Sequence, residues 1–258
     1  MANDNVLFFG LICLRKVNLK DNYLFLSTII LDILQVIFPT YCAACNRFLH
    51  KNESLICTKC RHELPKLNLK KSSQLIKNQY FTNLNIHIHF SILFQYEKDS
   101  EIQSLIHNFK YKNPKKLGKT LAFWHFNTLK NLPFTDEIDL IVPVPMHSKR
   151  LKKRGYNQVS EYAKTIAQML NAKYAPKVLT KVRETKIQSK QTRSDRFRNM
   201  LDSFILNPEI AISNKHILLV DDVITTGATL EACIVSLQKA TGVKISIAAI
   251  AITLIDQA

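Results

Sequence analysis

The chain has 258 residues, a formal net charge of +16 and 47% hydrophobic residues, which is enough for one sizeable core plus a small module. Its five glycines lie at Gly10, Gly118, Gly155, Gly227 and Gly242. This spacing excludes the G-x-G-x-x-G fingerprint of dinucleotide-binding folds and the Walker A loop of P-loop NTPases. The charge predicts an anionic partner, either nucleic acid, a phosphorylated substrate or a membrane surface.

Residues 1–38 form a predicted N-terminal extension that ends in an apolar helix. The first part shows no clear period and no recognisable secretory signal. Residues 23–38 are almost continuously apolar, with Thr28, Asp32 and Gln35 as one polar stripe at helical spacing. We expect this helix to pack on the protein, and a helix lying on a membrane is the alternative. We expect the protein to be cytoplasmic.

Four of the six cysteines form two C-x-x-C pairs within residues 39–65, which we call the cysteine module. Cys42 pairs with Cys45, and Cys57 pairs with Cys60. In a reducing compartment this spacing favours a metal site over a disulfide framework, and a redox-active C-x-x-C is the alternative. Four thiolates around one tetrahedral Zn²⁺ would make a closed, structural site. Because so short a module buries no core of its own, metal binding must supply its folding energy.

The rest of the chain reads as a polar linker over residues 66–85 and a mixed α/β domain over residues 86–258. Hydrophobic periodicity predicts strands at 86–96, 139–145, 215–222 and 244–255, and helices at 101–110, 116–130, 156–171 and 229–240. Continuous Ile, Leu and Val runs that alternate with helices predict a parallel sheet with helices on both faces.

The positive charge is concentrated in residues 149–198. This stretch holds fifteen Lys and Arg against three Asp and Glu, so it carries +12 of the +16. It begins with a basic turn, Lys149 to Arg154, just after the strand end Asp139 to Pro145 (DLIVPVP). It continues into residues 183–199 (RETKIQSKQTRSDRFRN), which are polar and have almost no apolar anchors. A solvated basic surface is the alternative interpretation for each of these residues.

The strongest local pattern is ILLVDDVITTGAT, which runs from Ile217 to Thr229. It predicts a buried strand, two carboxylates at the strand's C-terminal end and a loop of small residues that leads into a helix. Backbone N–H groups at the start of a helix form a natural phosphate site. Phosphate alone would be repelled by Asp221 and Asp222, so the pattern fits a sugar phosphate whose hydroxyls, or whose Mg²⁺, face the acids. The ligand would then resemble ribose 5-phosphate.

The segment resembles the PRPP-binding signature of type I phosphoribosyltransferases. The resemblance implies that Asp221 and Asp222 contact the ribose hydroxyls of PRPP, and that the 5-phosphate is held by Thr225, Thr226, Gly227, Ala228 and Thr229. It assigns the pyrophosphate to the loop with Pro143, Val144, Pro145, Lys149, Arg150 and Arg154. It makes Arg183 a catalytic residue together with Asp221 and Asp222. It places Arg183 in a hood loop over the site, and this loop also contains Thr185, Gln188, Gln191, Arg196 and Asn199.

The whole pattern is similar to the ComF/GntX family, in which a four-cysteine module precedes a phosphoribosyltransferase-like domain. The matching pieces are FPTYCAACN with CTKC, FKYKN, DLIVPVPMHSKRLKKRGYNQ, the hood sequence and ILLVDDVITTGATL. The family is linked to DNA uptake in natural competence and to other nucleic-acid or nucleotide handling. The long segment before Leu31 is a departure, because the family pattern does not need it.

Two functions remain open, the first from this resemblance and the second from the net charge of +16 together with the cysteine module. The first is a phosphoribosyltransferase that binds PRPP with Mg²⁺ and transfers or hydrolyses at the ribose C1 with release of pyrophosphate. The second is a non-catalytic accessory protein of DNA uptake that binds single-stranded DNA and keeps a regulatory or vestigial PRPP pocket. Both would carry a structural Zn²⁺. The sequence names no acceptor.

Overall fold

A computed structural model describes residues 38–82, 84, 86–182 and 203–254. The chain divides into the units Met1–Tyr41 and Cys42–Ala258, and the following description concerns the second. The predicted apolar helix of residues 23–38, with its membrane alternative, falls almost wholly outside the described residues. Within them, no helix combines the length and the apolar character needed to cross a membrane.

The described chain contains five parallel strands in one sheet and a separate antiparallel pair. The strands in chain order are β1 (His89–Gln95), β2 (Leu140–Pro143), β3 (Lys173–Tyr174), β4 (Leu179–Lys181), β5 (Phe204–Leu206), β6 (His216–Ile224) and β7 (Lys244–Ile252). The parallel sheet has the order β1-β7-β6-β2-β3, and β4 pairs with β5.

The helices connect and cover this sheet. They are α1 (Thr58–Glu63), α2 (Leu69–Tyr80), α3 (Glu101–Tyr111), α4 (Pro114–Leu129), α5 (Ser148–Arg154), α6 (Ser160–Met169) and α7 (Ala228–Leu237). The structure confirms the predicted parallel sheet with flanking helices and a four-cysteine cluster.

The central strand β6 separates two layers of core. Successive side chains of a strand point to opposite faces, and Leu218 and Val220 accordingly pack with α3, α4 and α6. Ile217 and Leu219 pack on the other face with α2, α7 and the β4–β5 pair. Both layers consist of aliphatic and aromatic side chains, which explains why the strands are continuous hydrophobic runs.

Residues 66–85, expected to be a linker, instead contain α2 and contribute to the core. Ile76 and Phe81 are fully buried, and Tyr80 is 3% exposed. Ile76 and Tyr80 are four residues apart and therefore share one helix face. The sequence did not predict this helix, because its apolar stripe consists of only two side chains in an otherwise polar, lysine-rich segment.

A polar network lies inside the first core layer. The His125 ring bonds Ser91 Oγ through Nε2 at 2.8 Å and contacts the Tyr162 hydroxyl through Nδ1. All three side chains are fully buried. Burial lowers the pKa of His125 to about 3, so the folded protein holds this ring neutral.

This burial predicts an acid-sensitive stability. The unfolded chain protonates His125 near its ordinary pKa of about 6.5, while the folded chain does not, so the free energy of unfolding falls as pH drops below that value. The loss approaches about 1.4 kcal/mol per pH unit. His125→Gln keeps a donor and an acceptor for Ser91 and Tyr162 but has no proton to gain, and we expect its stability to decline less between about pH 7 and 5.

Urea unfolding followed by Trp124 fluorescence measures this difference. His107→Gln, at an exposed position on α3, is the control and should keep the wild-type pH slope. Equal slopes for wild type and His125→Gln would show that the His125 site is not the source of the acid sensitivity.

Candidate functional site

The two carboxylates lie where the strands of the sheet end unequally. β2 pairs with β6 only as far as Pro143 opposite Val220, whereas β6 continues along β7 to Ile224. Asp221 and Asp222 therefore lie on β6 beyond the end of β2, inside a strand that continues two residues further toward its C-terminus than the sequence predicted. The chain leaves β2 through α6 to β3 and leaves β6 through α7 to β7, in opposite directions along the sheet. Ligands of open α/β sheets bind at such a switch point.

A cavity of about 500 Å³ opens at this point. The predicted site residues that line it are Val144, Pro145, Arg150, Arg154, Asp221, Asp222, Thr225 and Thr229. Pro143 is instead buried at the end of β2, and Lys149 is exposed on α5. Thr226 and Gly227 lie in the turn after β6 and Ala228 begins α7, and none of the three lines the cavity. The fold thus joins the two separately predicted strand ends in one cavity.

Asp222 is the centre of a chain of polar contacts. Its Oδ2 lies 3.2 Å from Lys110 Nζ and accepts a 3.0 Å hydrogen bond from Gln158 Nε2. Arg154 Nη1 donates to Gln158 Oε1 at 2.8 Å, and its guanidinium lies 4.7 Å from the centre of the Tyr111 ring. Asp222 is 6% exposed, so its charge is balanced by partners rather than by water.

Asp221 has a different environment. It accepts a 2.8 Å hydrogen bond from the backbone N–H of Asp222. Burial and then the neighbouring charge of Asp222 raise the pKa of Asp221 above its ordinary value. Its side chain therefore favours a ligand that brings positive charge or hydrogen-bond donors to the acid pair.

Cations surround these acids. Lys110, Arg150, Arg154 and Lys181 all line the same cavity. Burial lowers the pKa of Lys181. We call these four side chains the cationic rim. A cavity lined by both an acid pair and a cationic rim suits a ligand that has hydroxyls or a metal ion at one place and anionic groups at others.

The loop after β6 supplies the start of α7. Gly227 adopts a left-handed φ of +72° immediately before the helix. A Cβ there would lie 3.0 Å from Tyr80 Cβ and 3.2 Å from Tyr80 O. Glycine is therefore required by the turn and by close contact with α2, in addition to any approach of an anion. Thr225 and Thr226 are exposed in this loop.

The basic turn after β2 is a short helix, α5, which the sequence analysis did not predict. It ends at Gly155 in the left-handed conformation, with the Gly155 N–H donating to Leu151 O at 2.7 Å. None of its residues is buried. Its basic side chains are Lys149, Arg150, Lys152, Lys153 and Arg154.

The predicted hood residues Arg183, Thr185, Gln188, Gln191, Arg196 and Asn199 lie outside the described residues. The β4–β5 pair flanks this segment, with Lys181 opposite Phe204. Because Lys181 lines the cavity, the strand that leads into the predicted hood ends at the site.

Several lining residues were not assigned from sequence, among them Tyr96, Lys110, Tyr111, His147, Asn157, Gln158 and Lys181. Signals existed for some of them. Lys110 and Tyr111 fall in the FKYKN piece, and Asn157 and Gln158 end the basic-loop motif. Asn157 also holds the loop, because its Nδ2 donates to Val144 O at 2.9 Å. Nothing local indicated Lys181 or Tyr96.

The four predicted metal ligands converge. The sulfur atoms of Cys42, Cys45, Cys57 and Cys60 lie within 4.8 Å of one another, and the Cys45–Cys57 separation is 3.7 Å. Ligands of a tetrahedral zinc site with Zn–S bonds near 2.3 Å are about 3.8 Å apart. Burial raises the pKa of the Cys42 thiol. Backbone N–H hydrogen bonds, above all the one from Cys57, lower it by more, so the pKa falls to about 7. The cluster can therefore hold a metal ion.

The cysteine module is continuous with the main core. Cys42, Cys57 and Cys60 belong to the buried cluster that includes α3. Asn108 on α3 donates from Nδ2 to Ala43 O at 2.7 Å. The module thus gains its apolar contacts from the sheet domain and supplies part of one face of it.

Curated relatives match about half of this chain. Competence protein F of Haemophilus influenzae is 31% identical over 134 residues, which are 49% of this chain and 57% of that protein. DNA utilization protein YhgH of Salmonella typhi is 30% identical over 131 residues, 48% of this chain and 56% of the relative. The matched stretch thus spans little more than half of each relative. With the cysteine cluster, these similarities confirm the predicted resemblance to the ComF/GntX family.

Solved structures with similarity include adenine phosphoribosyltransferases. That of Saccharomyces cerevisiae is 14% identical, covers 57% of this chain and 82% of its own, and has a TM-score of 0.32. The enzyme of Leishmania tarentolae is 12% identical, and the match covers 72% of this chain and 89% of that enzyme, with a TM-score of 0.34. Residues 110–257, more than half of the chain, match the family described as Phosphoribosyl transferase domain, and the chain belongs to this family.

Proposed function

We propose that this protein binds PRPP with Mg²⁺ across the ends of β2 and β6 and transfers the phosphoribosyl group to an acceptor or to water. The observation that supports this most directly is that one cavity is lined by the acid pair Asp221 and Asp222, by the threonines at the start of α7 and by four cations. Its volume of about 500 Å³ falls in the usual range of small-molecule sites.

Each part of PRPP has a counterpart in the cavity. The acid pair accepts hydrogen bonds from the ribose hydroxyls. The 5-phosphate takes the N–H groups and hydroxyls at the start of α7, where the helix dipole favours negative charge. The pyrophosphate faces Arg150, Arg154 and Lys110, which balance the charge that develops as it leaves.

The reaction breaks the bond between C1 and the pyrophosphate oxygen and forms a bond from C1 to a nucleophilic atom of the acceptor, which loses a proton. No side chain serves as nucleophile. The protein contributes by positioning, by the fixed cations beside the leaving group and by closure of the predicted hood around Arg183. Asp221 and Asp222 offer the carboxylate oxygens that Mg²⁺ prefers, and an Mg²⁺ ion bound with PRPP would supply positive charge beside the pyrophosphate.

Removing the charge of the acid pair tests the site. In Asp221→Asn/Asp222→Asn the side chains keep their shape but can no longer carry negative charge, and we expect the affinity for PRPP·Mg²⁺ to fall about tenfold or more. A lost charge-assisted hydrogen bond costs roughly 1.5–3 kcal/mol. Isothermal titration calorimetry on the full chain gives the dissociation constants.

Asp136→Asn is the control, since Asp136 is exposed beside β2's opposite end and lines no part of the cavity. It should bind PRPP·Mg²⁺ like the wild type. Equal affinity for the double variant would remove the acid pair from the binding site, and no binding by the wild type would refute the proposed function.

We propose that the ion held by the cysteine module is Zn²⁺, on the basis of the four converging thiols. Cys60→Ser should abolish stoichiometric zinc, measured by metal analysis of the purified protein. It should also lower the melting temperature by about 10 °C or more, since structural zinc supplies several kcal/mol and each kcal/mol shifts the midpoint by roughly 2–4 °C.

Cys233→Ala is the matched control, because Cys233 is buried in the other core layer and outside the cluster. It should keep its zinc. Zinc-free wild-type protein with an unchanged melting temperature would contradict a structural metal.

A second candidate function is binding of single-stranded DNA, which the exposed basic helix α5 favours. The names of the two relatives, Competence protein F and DNA utilization protein YhgH, agree with such a role. Phosphate contacts by Lys and Arg give affinity that falls steeply with salt.

Charge reversal on α5 tests this function without touching the cavity. Lys152→Glu/Lys153→Glu should weaken binding of a fluorescent single-stranded oligonucleotide at least tenfold at about 50 mM salt, and should make the salt dependence shallower. Affinity for PRPP·Mg²⁺ should be unchanged. The control is Lys115→Glu/Lys116→Glu, because both lysines are exposed at the start of α4 and their reversal changes the net charge by the same amount. If both variants lose DNA binding equally, α5 is not a specific contact.

A further inference from the structure

Residues 156–158 join α5 to α6 and lie beside the cavity at the ends of β2 and β6. We call them the connector. The Tyr156 hydroxyl donates to Lys110 O in the last turn of α3 at 3.1 Å. Asn157 Nδ2 donates to Val144 O, immediately after β2, at 2.9 Å. Because these bonds reach two different elements, they fix the path of the connector and the position from which its third side chain extends.

Gln158, the third residue of the connector, links the acid pair to the cationic rim. Its Nε2 donates to Asp222 Oδ2 at 3.0 Å, and its Oε1 accepts from Arg154 Nη1 at 2.8 Å. An ionised carboxylate only accepts hydrogen bonds and a guanidinium only donates them. These two partners therefore determine the orientation of the amide, which offers each charged neighbour the group that it needs.

The guanidinium of Arg154 is held from two directions. One N–H is bonded to Gln158, and the Cζ atom lies 4.7 Å from the centre of the Tyr111 ring. Arginine has five N–H donors, so the bond to Gln158 leaves donors for a phosphate group in the cavity. The position of this cation depends on Gln158, and the position of Gln158 depends on Asp222.

Asp222, at the other end of this chain of contacts, can bind a ligand without releasing Gln158. Its Oδ1 accepts the backbone N–H of Val223 at 2.7 Å, and its Oδ2 contacts Gln158 and Lys110. Each oxygen of a carboxylate can accept two hydrogen bonds. A ribose hydroxyl can therefore donate to Oδ1 and a pyrophosphate can attract Lys110, while Gln158 keeps both of its bonds.

We infer that Gln158 is a positioning residue that couples the binding of the ribose to the binding of the pyrophosphate. This inference rests on the proposed function. A ribose hydroxyl on Asp222 orders that carboxylate, the carboxylate orders the amide, and the amide orders the Arg154 guanidinium beside the leaving group. Hydrogen bonds in such a chain also polarise one another. Each group therefore binds more tightly when the other is present, and by linkage the effect is equal in both directions.

This coupling favours a ligand in which a sugar is joined to a polyphosphate. PRPP carries both groups and gains the whole coupling free energy. A free sugar phosphate or a free pyrophosphate engages only one end of the chain from Asp222 through Gln158 to Arg154. The chain thus places its cation most firmly beside the leaving group when the ribose occupies the acids, which is the arrangement that the proposed reaction needs.

The two fragments of PRPP measure this coupling. Calorimetry on the full chain gives the affinity for pyrophosphate·Mg²⁺ with and without saturating ribose 5-phosphate, and the ratio of the two affinities is the coupling factor. Gln158→Met keeps the length of the side chain but removes both polar atoms. We expect ribose 5-phosphate to tighten pyrophosphate binding about fivefold or more in the wild type and less than about twofold in Gln158→Met.

Gln168→Met is the matched control, because Gln168 is exposed on α6 and lines no part of the cavity. It should keep the wild-type coupling factor. Arg154→Met breaks the other end of the chain and serves also if Gln158→Met fails to fold. It should bind pyrophosphate more weakly, and its coupling factor should fall as it does in Gln158→Met. A wild-type coupling factor in either Gln158→Met or Arg154→Met would overturn the inference.

The remaining outcomes separate this inference from the proposed function. Absence of PRPP·Mg²⁺ binding by the wild type refutes the proposed function, and the inference with it. Wild-type protein that binds PRPP·Mg²⁺ but has a coupling factor near one overturns the inference and leaves the proposed function intact. If Gln158→Met weakens pyrophosphate binding by the same factor with and without ribose 5-phosphate, Gln158 supports the shape of the site alone, and the coupling role is wrong.

Discussion

The site depends on one inequality in the sheet, namely that β2 stops pairing before β6 does. β6 keeps its hydrogen bonds with β7 to Ile224, so its backbone stays fixed while its other edge is uncovered beyond Val220. Two carboxylates on an otherwise apolar central strand are accommodated only where that edge opens to a cavity. The Val-Pro steps produce the early end of β2, since Pro143 and Pro145 offer no N–H to a neighbouring strand.

Charge balance around the acids follows from this placement. Burial and the charge of Asp222 raise the pKa of Asp221, and Asp222 is compensated by Lys110 and Gln158. These partners come from three segments that are distant in sequence. A ligand that presents hydroxyls or a cation to the acids and phosphates to the rim would replace several of these internal contacts with its own. The ligand-free protein thus pairs these charges internally, in positions already fixed for exchange with the groups of such a molecule.

The fold and part of the site follow from local sequence, and the remainder depends on long-range packing. ILLVDDVITTGAT contains its strand, acids and turn within thirteen consecutive residues, so its chemistry can be predicted from spacing. Helix α2 could not be predicted in this way, because Ile76 and Tyr80 form an apolar stripe whose burial depends on distant strands. Lys181 likewise reaches the cavity only because β4 pairs with β5 across the predicted hood. The division into domains and the hood roles remain predictions.

The cysteine module connects its candidate metal site to the cavity at the ends of β2 and β6 through packing. Its buried cysteines share a core with α3, and α3 carries Lys110 and Tyr111 into the cavity at the ends of β2 and β6. A module with so few apolar residues would not fold by itself without metal, yet here it covers apolar surface of the sheet domain as well. Loss of the metal would therefore expose one side of α3 and release the Asn108–Ala43 hydrogen bond. A structural ion in this position would act on the cavity through the placement of one helix, without contacting a bound ligand.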